Sequence, residues 1–172
     1  MSPAAVPDRG AGLLELYDEA LPQVYGYLLA RCGDAPLAED LTSDCFLAAV
    51  AAIRKPEPPT LSVAWLIGVA RHKLVDHWRT EEREQRGLRF VYGEQPAVDD
   101  PWEEELDLLR AREALTRLGP AHRAALTLRY LDGLPVAAVA EQLGRTVHAT
   151  EALLVRARGA LRRAYSGEEG LR

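Results

Sequence analysis

Several things are scarce in this chain, and each scarcity excludes a class of protein. Only two of its 172 residues are cysteine, Cys32 and Cys45, so it is no disulfide-dense scaffold, and both are expected as reduced thiols. The longest unbroken apolar run is Cys45–Ile53. That is far short of the roughly 20 residues needed to span a bilayer, so no membrane insertion is expected. The first residues, "MSPAAVPDRGAG", lack both a basic start and an apolar core and do not fit a signal peptide. Residues 1–12 are expected as a frayed tail and the cytoplasm as the compartment. Alternating β-branched runs bounded by turn residues are missing, which argues against a sheet. Lysine is almost absent: Lys55 and Lys73 are the only two, and arginine supplies the rest of the positive charge. A glycine-rich phosphate loop is missing too.

What remains is helix-forming sequence with an uneven charge. The formal net charge of −5 hides a gradient. Residues 1–82 carry 7 basic and 12 acidic groups, residues 90–109 carry none and 7, and residues 110–165 carry 10 and 4. An acidic first part, a very acidic connector and a basic last part succeed one another. A basic module of this size is a candidate polyanion binder.

Apolar residues recur at helical spacing through most of the chain. A first helix is predicted over Leu13–Arg31, with Leu13, Leu16, Tyr17, Leu21, Val24 and Leu28 on one stripe. Asp34 is placed to cap a second helix running to about Arg54. Pro36 falls in its first turn, and Leu37, Leu41, Cys45, Ala48 and Ala49 lie on its buried side. "KPEPPT" ends it, and Thr60 or Ser62 caps a third helix to about Gln85. Residues 87–105 read as a linker. Asp100 and Pro101 read as N-cap and first residue of a fourth helix, reaching about Leu118. Gly119 and Pro120 open a fifth to about Leu131, Pro135 opens a sixth ending at Gly144, and Thr146 caps a seventh through about Tyr165. The fold class is therefore all-α: three helices, an acidic linker, then four helices.

"PVAAVAEQLGRTVHATEALLVRAR" has the spacing of a helix-turn-helix. Ala140 is small enough to let two helices cross closely. Gly144, four residues on, suits a turn that needs positive φ. Val139, Leu143, Thr150 and Leu153 are placed to fill the wedge between the helices. With Thr150 inward, the 3.6-residue period turns His148, Glu151, Val155, Arg158 and Arg162 outward, toward a major groove. Short outward side chains near the helix start suit base edges, and Glu151 suits a cytosine amino group. The later arginines suit phosphates.

The stretch "AWLIGVARHKLVDHWR", residues 64–79, is the other unusual segment. On a helical wheel Leu66, Ile67, Ala70, Leu74 and Trp78 form a packing face. Trp65, Val69, His72, Asp76 and Arg79 gather opposite, flanked by Arg71 and Lys73. The order "AEDLTSDCF" at 38–46, this stretch, "ALTRLGPAHRAALTLRYLDGLPVAAVAEQLG" at 114–144 and "RARGALRR" at 156–163 resembles the bacterial sigma factors of the extracytoplasmic-function class. The resemblance runs from about Leu13 to Tyr165.

The resemblance implies two helical domains: a region 2-like three-helix bundle over 13–86 and a region 4-like helix-turn-helix domain over 106–165, ahead of a tail at 166–172. It implies that the first domain docks on the clamp helices of RNA polymerase core through Glu39, Asp40, Ser43, Asp44 and Leu47. The −10 promoter element would then meet Trp65, Val69, Arg71, His72, Lys73, Asp76 and Arg79, a cationic track with surfaces for unstacked bases. The second domain would sit on the polymerase flap and read the −35 element with Arg145, Thr146, His148, Glu151, Val155, Arg158 and Arg162. An acidic linker suits a channel built for a polyanion, and an anti-sigma partner is commonly implied for this class. His72 stands where the family often has asparagine, and Ser43 where it often has glutamine.

Other readings of the same residues are weaker. His72 and Asp76 are four apart on one helix, but no third ligand lies nearby for a metal, and a surface ion pair accounts for them. Cys32 and Cys45 on neighbouring helices allow a redox pair, though buried thiols are the default. No nucleophile and base can be matched, so no catalytic residue, enzyme activity, cofactor or metal is expected. The alternative function is a stand-alone helix-turn-helix regulator with a helical partner-binding domain, which would bind duplex operators by itself. A helical adaptor without DNA binding is a third.

Overall fold

The computed structural model describes residues 9–88 and 108–167. All regular structure among the described residues is helical. The helices are α1 Arg9–Cys32, α2 Ala35–Ile53, α3 Val63–Leu88, α4 Leu108–Thr116, α5 Pro120–Leu126, α6 Val136–Leu143 and α7 Val147–Ser166, with a π-helical turn at Thr127–Leu131 directly after α5. The chain divides into two compact units, residues 1–74 and residues 75–172, and the division falls within α3.

In the first unit α1 packs along α2. Ala20, Val24, Leu28 and Cys32 of α1 are buried, as are Ala38, Leu41, Cys45, Ala49 and Ala52 of α2. Small residues on α2 let the two helices approach closely. Several members of the predicted stripes are only half-buried: Leu13, Leu16 and Leu21 on α1, and Leu37 and Ala48 on α2. Tyr17 is exposed at its edge, and its ring meets that of Phe46 at a centroid separation of 4.7 Å.

Local signals set most helix ends. Asp34 caps α2, its Oδ1 accepting from the Leu37 N–H at 2.9 Å. Ser62, rather than Thr60, supplies the cap at α3, its Oγ accepting from the Trp65 N–H at 3.1 Å. Helix α1 starts at Arg9, so the last four residues of the predicted tail are helical. Pro22 lies inside α1 and removes one i→i−4 donor from it. Helix α3 runs three residues past Gln85, into the first two residues of the predicted linker. The remainder of that linker, and the predicted helix start at Asp100 and Pro101, lie outside the described residues.

In the second unit α7 packs against α4, α5 and α6. Leu153, Leu154, Ala157, Ala160 and Ala164 carry its buried side, facing a core that includes Ala124, Ala125, Leu126, Leu128, Val139, Ala140 and Leu143. Arg123 ties the loop before α5 together, donating to the carbonyl oxygens of Leu115 at 3.1 Å, Leu118 at 3.3 Å and Thr116. Helix α4 stops at Thr116, two residues before the predicted end, and the turn that follows places the Thr116 and Leu118 carbonyls where Arg123 donates to them. The predicted fifth helix does reach Leu131, but its last five residues take π geometry. Nothing in their side-chain spacing signals that change of hydrogen-bond register.

Candidate nucleic-acid interface and docking surface

The turn between α6 and α7 is built by backbone chemistry. Gly144 ends α6 with φ +62°, and its N–H donates back to Glu141 O at 3.1 Å, while the Arg145 N–H reaches Ala140 O at 2.9 Å. This left-handed cap is where glycine is favoured. Two residues on, Thr146 adopts an extended backbone and caps α7, its Oγ1 accepting from the Ala149 N–H at 3.1 Å. Thr150, fully buried, donates its hydroxyl to the Thr146 carbonyl at 2.9 Å and so satisfies its polar atom. Val139, Ala140, Leu143 and Leu153 close the wedge, all buried. The segment is a helix-turn-helix, with every wedge position the sequence assigned to it occupied as expected.

On the outward face of α7, His148, Glu151 and Arg158 are exposed, while Val155 and Arg162 are half-buried. Arg145 differs from the rest of that set: its Nη2 donates to Glu82 Oε1 at 2.6 Å, and its side chain is only 23% exposed. The same Glu82 oxygen accepts from Arg86 Nη2 at 2.5 Å. Sequence reading did not single out Glu82, because its partner lies 63 positions away.

On α3 the packing face is as the wheel places it: Leu66, Ala70, Leu74 and Trp78 are buried, Ile67 half-buried, and Val75 joins them. On the opposite side His72 and Asp76 are exposed, and Trp65, Val69, Arg71, Lys73 and Arg79 half-buried. Arg79 Nη1 lies 3.9 Å from Asp76 Oδ1, so the acid partly neutralises the base within this set. His77, off this face, lies 3.7 Å from Glu81. Among the described residues no group of three His, Cys, Asp or Glu side chains gathers into a metal-holding arrangement.

On α2, Glu39, Asp40, Ser43, Asp44 and Leu47 are all exposed. Asp40, Asp44 and Leu47 keep the i, i+4, i+7 rhythm, which puts two carboxylates and a leucine on one stripe. Leu47 is 66% exposed, and an aliphatic side chain so placed beside acids gives this stripe both apolar and charged character. Next to Asp44 in sequence, Cys45 faces inward and is fully buried, and that burial pushes its thiol up to about 11.

Two family models match the chain in sequence order: Sigma-70 region 2 over residues 16–84 and Sigma-70, region 4 over residues 108–161. The ECF RNA polymerase sigma factor SigC of Mycobacterium tuberculosis (strain CDC 1551) is 31% identical over 154 residues, covering 86% of this chain and 80% of the relative. The chain belongs to the extracytoplasmic-function class of sigma-70 factors. The ECF RNA polymerase sigma factor SigL of Mycobacterium tuberculosis is 30% identical over 151 residues, 81% of each chain. The ECF RNA polymerase sigma factor BldN of Streptomyces coelicolor is 33% identical over 150 residues, covering 83% of this sigma factor and 56% of the relative, so the chain spans little more than half of that protein.

A solved structure of the sigma factor RpoE in complex with the anti-sigma factor NepR from Bartonella quintana has a TM-score of 0.53 and 23% identity. It covers 90% of this chain and 97% of that one, a likeness of fold. Membership places the sigma factor among non-enzymatic transcription initiation factors and favours polymerase-dependent promoter recognition over the stand-alone regulator. No helix among the described residues is long and apolar enough to cross a membrane.

Proposed function

We propose that this sigma factor acts in the cytoplasm, binds RNA polymerase core and directs it to promoters, taking hold of a −10 element with α3 and a −35 element with α7. The observation that carries the reading is the pairing, in one chain, of an exposed acid-and-leucine stripe on α2 with a fully formed helix-turn-helix. A regulator with a partner-binding domain would use both surfaces; the Sigma-70 region 2 match over residues 16–84 supports polymerase core as the partner of the first.

The roles divide by chemistry. Asp40, Asp44 and Leu47, with Glu39 and Ser43 beside them, meet the clamp helices of the core enzyme. Trp65, Val69 and His72 offer flat or apolar surface to unstacked bases, while Arg71, Lys73 and Arg79 track the backbone. Asp76, 3.9 Å from Arg79, offsets part of its charge. His148 and Glu151, in the first turns of α7, reach base edges with Val155, and Arg158 and Arg162 take phosphates. Arg145 and Thr146 meet the backbone at the start of α7, Arg145 once it leaves Glu82. The domains that carry these roles are residues 13–86 and 106–165, joined by the acidic linker. An anti-sigma protein, as in the RpoE–NepR structure, would hold this sigma factor inactive. No catalytic residue, metal or cofactor is assigned.

The test is a pull-down of bacterial core RNA polymerase with the purified chain, and then run-off transcription on a genomic promoter pool. Stable core binding with new discrete transcripts is expected. Core binding absent, together with tight binding of the chain alone to a duplex operator, would overturn the reading in favour of the regulator.

A further inference from the structure

Tyr130 belongs neither to the α2 stripe nor to the DNA-facing sets of α3 and α7. It stands near the end of the π-helical turn Thr127–Leu131, where the Asp132 N–H donates five residues back to Thr127 O and the Leu134 N–H reaches Leu128 O, both at 3.0 Å. A π turn inserts one extra residue of helical register, rotating the downstream side chains by about 100° around the axis. Tyr130 itself lies within this turn, with 55% of its surface exposed, and Arg158 Nη1 of α7 donates to its hydroxyl oxygen at 3.2 Å. Arg129 is anchored separately. Its Nη1 donates to Leu134 O at 3.0 Å, and its guanidinium carbon stands 5.9 Å from the centre of the Tyr130 ring.

A phenol that accepts from a guanidinium still has its own O–H to give, and that bond polarises it toward donation. Among the described residues the Tyr130 hydroxyl has no acceptor. Arginine and tyrosine are both common donors to nucleic-acid phosphates. The arrangement is a guanidinium and a phenol, held together on the outward side of a recognition helix, with a second guanidinium behind the ring.

We propose that Tyr130 is a further DNA-contact residue: its oxygen holds the Arg158 guanidinium, and its proton goes to the same backbone phosphate that Arg158 meets. This rests on the reading of α7 as the −35 recognition helix. The contact is to a phosphate, so it is independent of base sequence, and a random-sequence DNA duplex serves as the probe.

The experiment measures affinity of the full chain for that duplex at low ionic strength and as a function of salt. Four proteins are compared: wild type, Tyr130→Phe, Arg158→Ala and the double variant. Tyr130→Phe keeps the ring and changes only one exposed oxygen. It is expected to weaken binding about fivefold, and Arg158→Ala about tenfold with a salt slope lower by about one. In the Arg158→Ala background the tyrosine change is expected to cost about twofold or less, because the two groups act on one phosphate. Equal affinity of wild type and Tyr130→Phe, or full additivity in the double variant, would overturn the proposal. Absence of wild-type binding at low salt would overturn it as well. If Arg158→Ala also leaves affinity and slope unchanged, it is the recognition-helix reading that falls.

Discussion

The helix-turn-helix and the α2 stripe carry their candidate binding residues in opposite ways. The first is a short, sharply bounded device: α6 has eight residues, a left-handed glycine ends it, and a threonine cap starts α7 two residues later. Its outward face is set once Thr150 is turned inward, so the wedge and the binding face are one decision. The second is a stripe along a helix of 19 residues whose two ends say nothing about which exposed residues matter. Exposed acids there serve solubility and the helix dipole as well as a partner. The lesson is that a binding surface dictated by backbone geometry can be read residue by residue. One dictated by a partner can only be bounded.

That contrast can be strained from the side of the fold. Leu153→Ala removes a buried side chain from the wedge and is expected to cost about 2–5 kcal/mol in chemical denaturation. A cost below about 1 kcal/mol would mean that the wedge does not organise this part of the chain. On the other surface, Asp44→Arg is expected to weaken core-polymerase binding tenfold or more with the melting temperature unchanged, since Asp44 is exposed. Unaltered core affinity would move docking elsewhere on α2.

Smaller effects sharpen it further. Gly144→Ala is expected to destabilise by about 1–2 kcal/mol, the cost of a side chain in the left-handed region. Its added carbon would also sit 3.0 Å from Arg79 Nη2, which has to move. Thr146→Ala and Asp34→Ala each remove one cap bond and are each expected to cost about 1 kcal/mol. In promoter binding they should part: Thr146→Ala weakens −35 recognition, whereas Asp34→Ala leaves it alone. Equal effects of the two on promoter affinity would erase the distinction.

The last is a pH effect, confined to alkaline solution. Burial holds the Cys45 thiol protonated up to about pH 11, while in the unfolded chain it ionises near its ordinary value of 9.0. The unfolded state therefore releases its proton first, and stability should fall as pH rises through that window. Cys45→Ala should flatten this part of the pH profile. An unchanged profile would assign it to other groups.

Individual elements show where sequence reading works. Asp34, Gly144 and Thr146 each act within three or four residues of themselves, so their roles as caps and turns were visible before any fold was known, and Ser62 was one of two candidates for its cap. Helical period placed Leu41, Cys45 and Ala49 of α2, Leu66, Ala70, Leu74 and Trp78 of α3, and Thr150 and Leu153 of α7 inward, whereas Leu37, Ala48 and Ile67, expected with them, are half-buried. The tail and linker boundaries shifted because α1 and α3 extend through Gly10, Gly12 and Gly87, glycines that weaken a helix without ending it here. Glu82 and Tyr130 stayed hidden for a different reason. Glu82 gains its meaning from Arg145, and Tyr130 from Arg158, 28 positions on.

By itself, then, the sequence determined the all-α class, the helix-turn-helix, its wedge and its outward face, because periodicity, caps and glycine turns are local and the chain states them directly. Tertiary structure decided which arginines are engaged and where the fifth helix changes to π geometry. Those outcomes depend on groups far apart in the chain, and their distances exist only once the helices have packed.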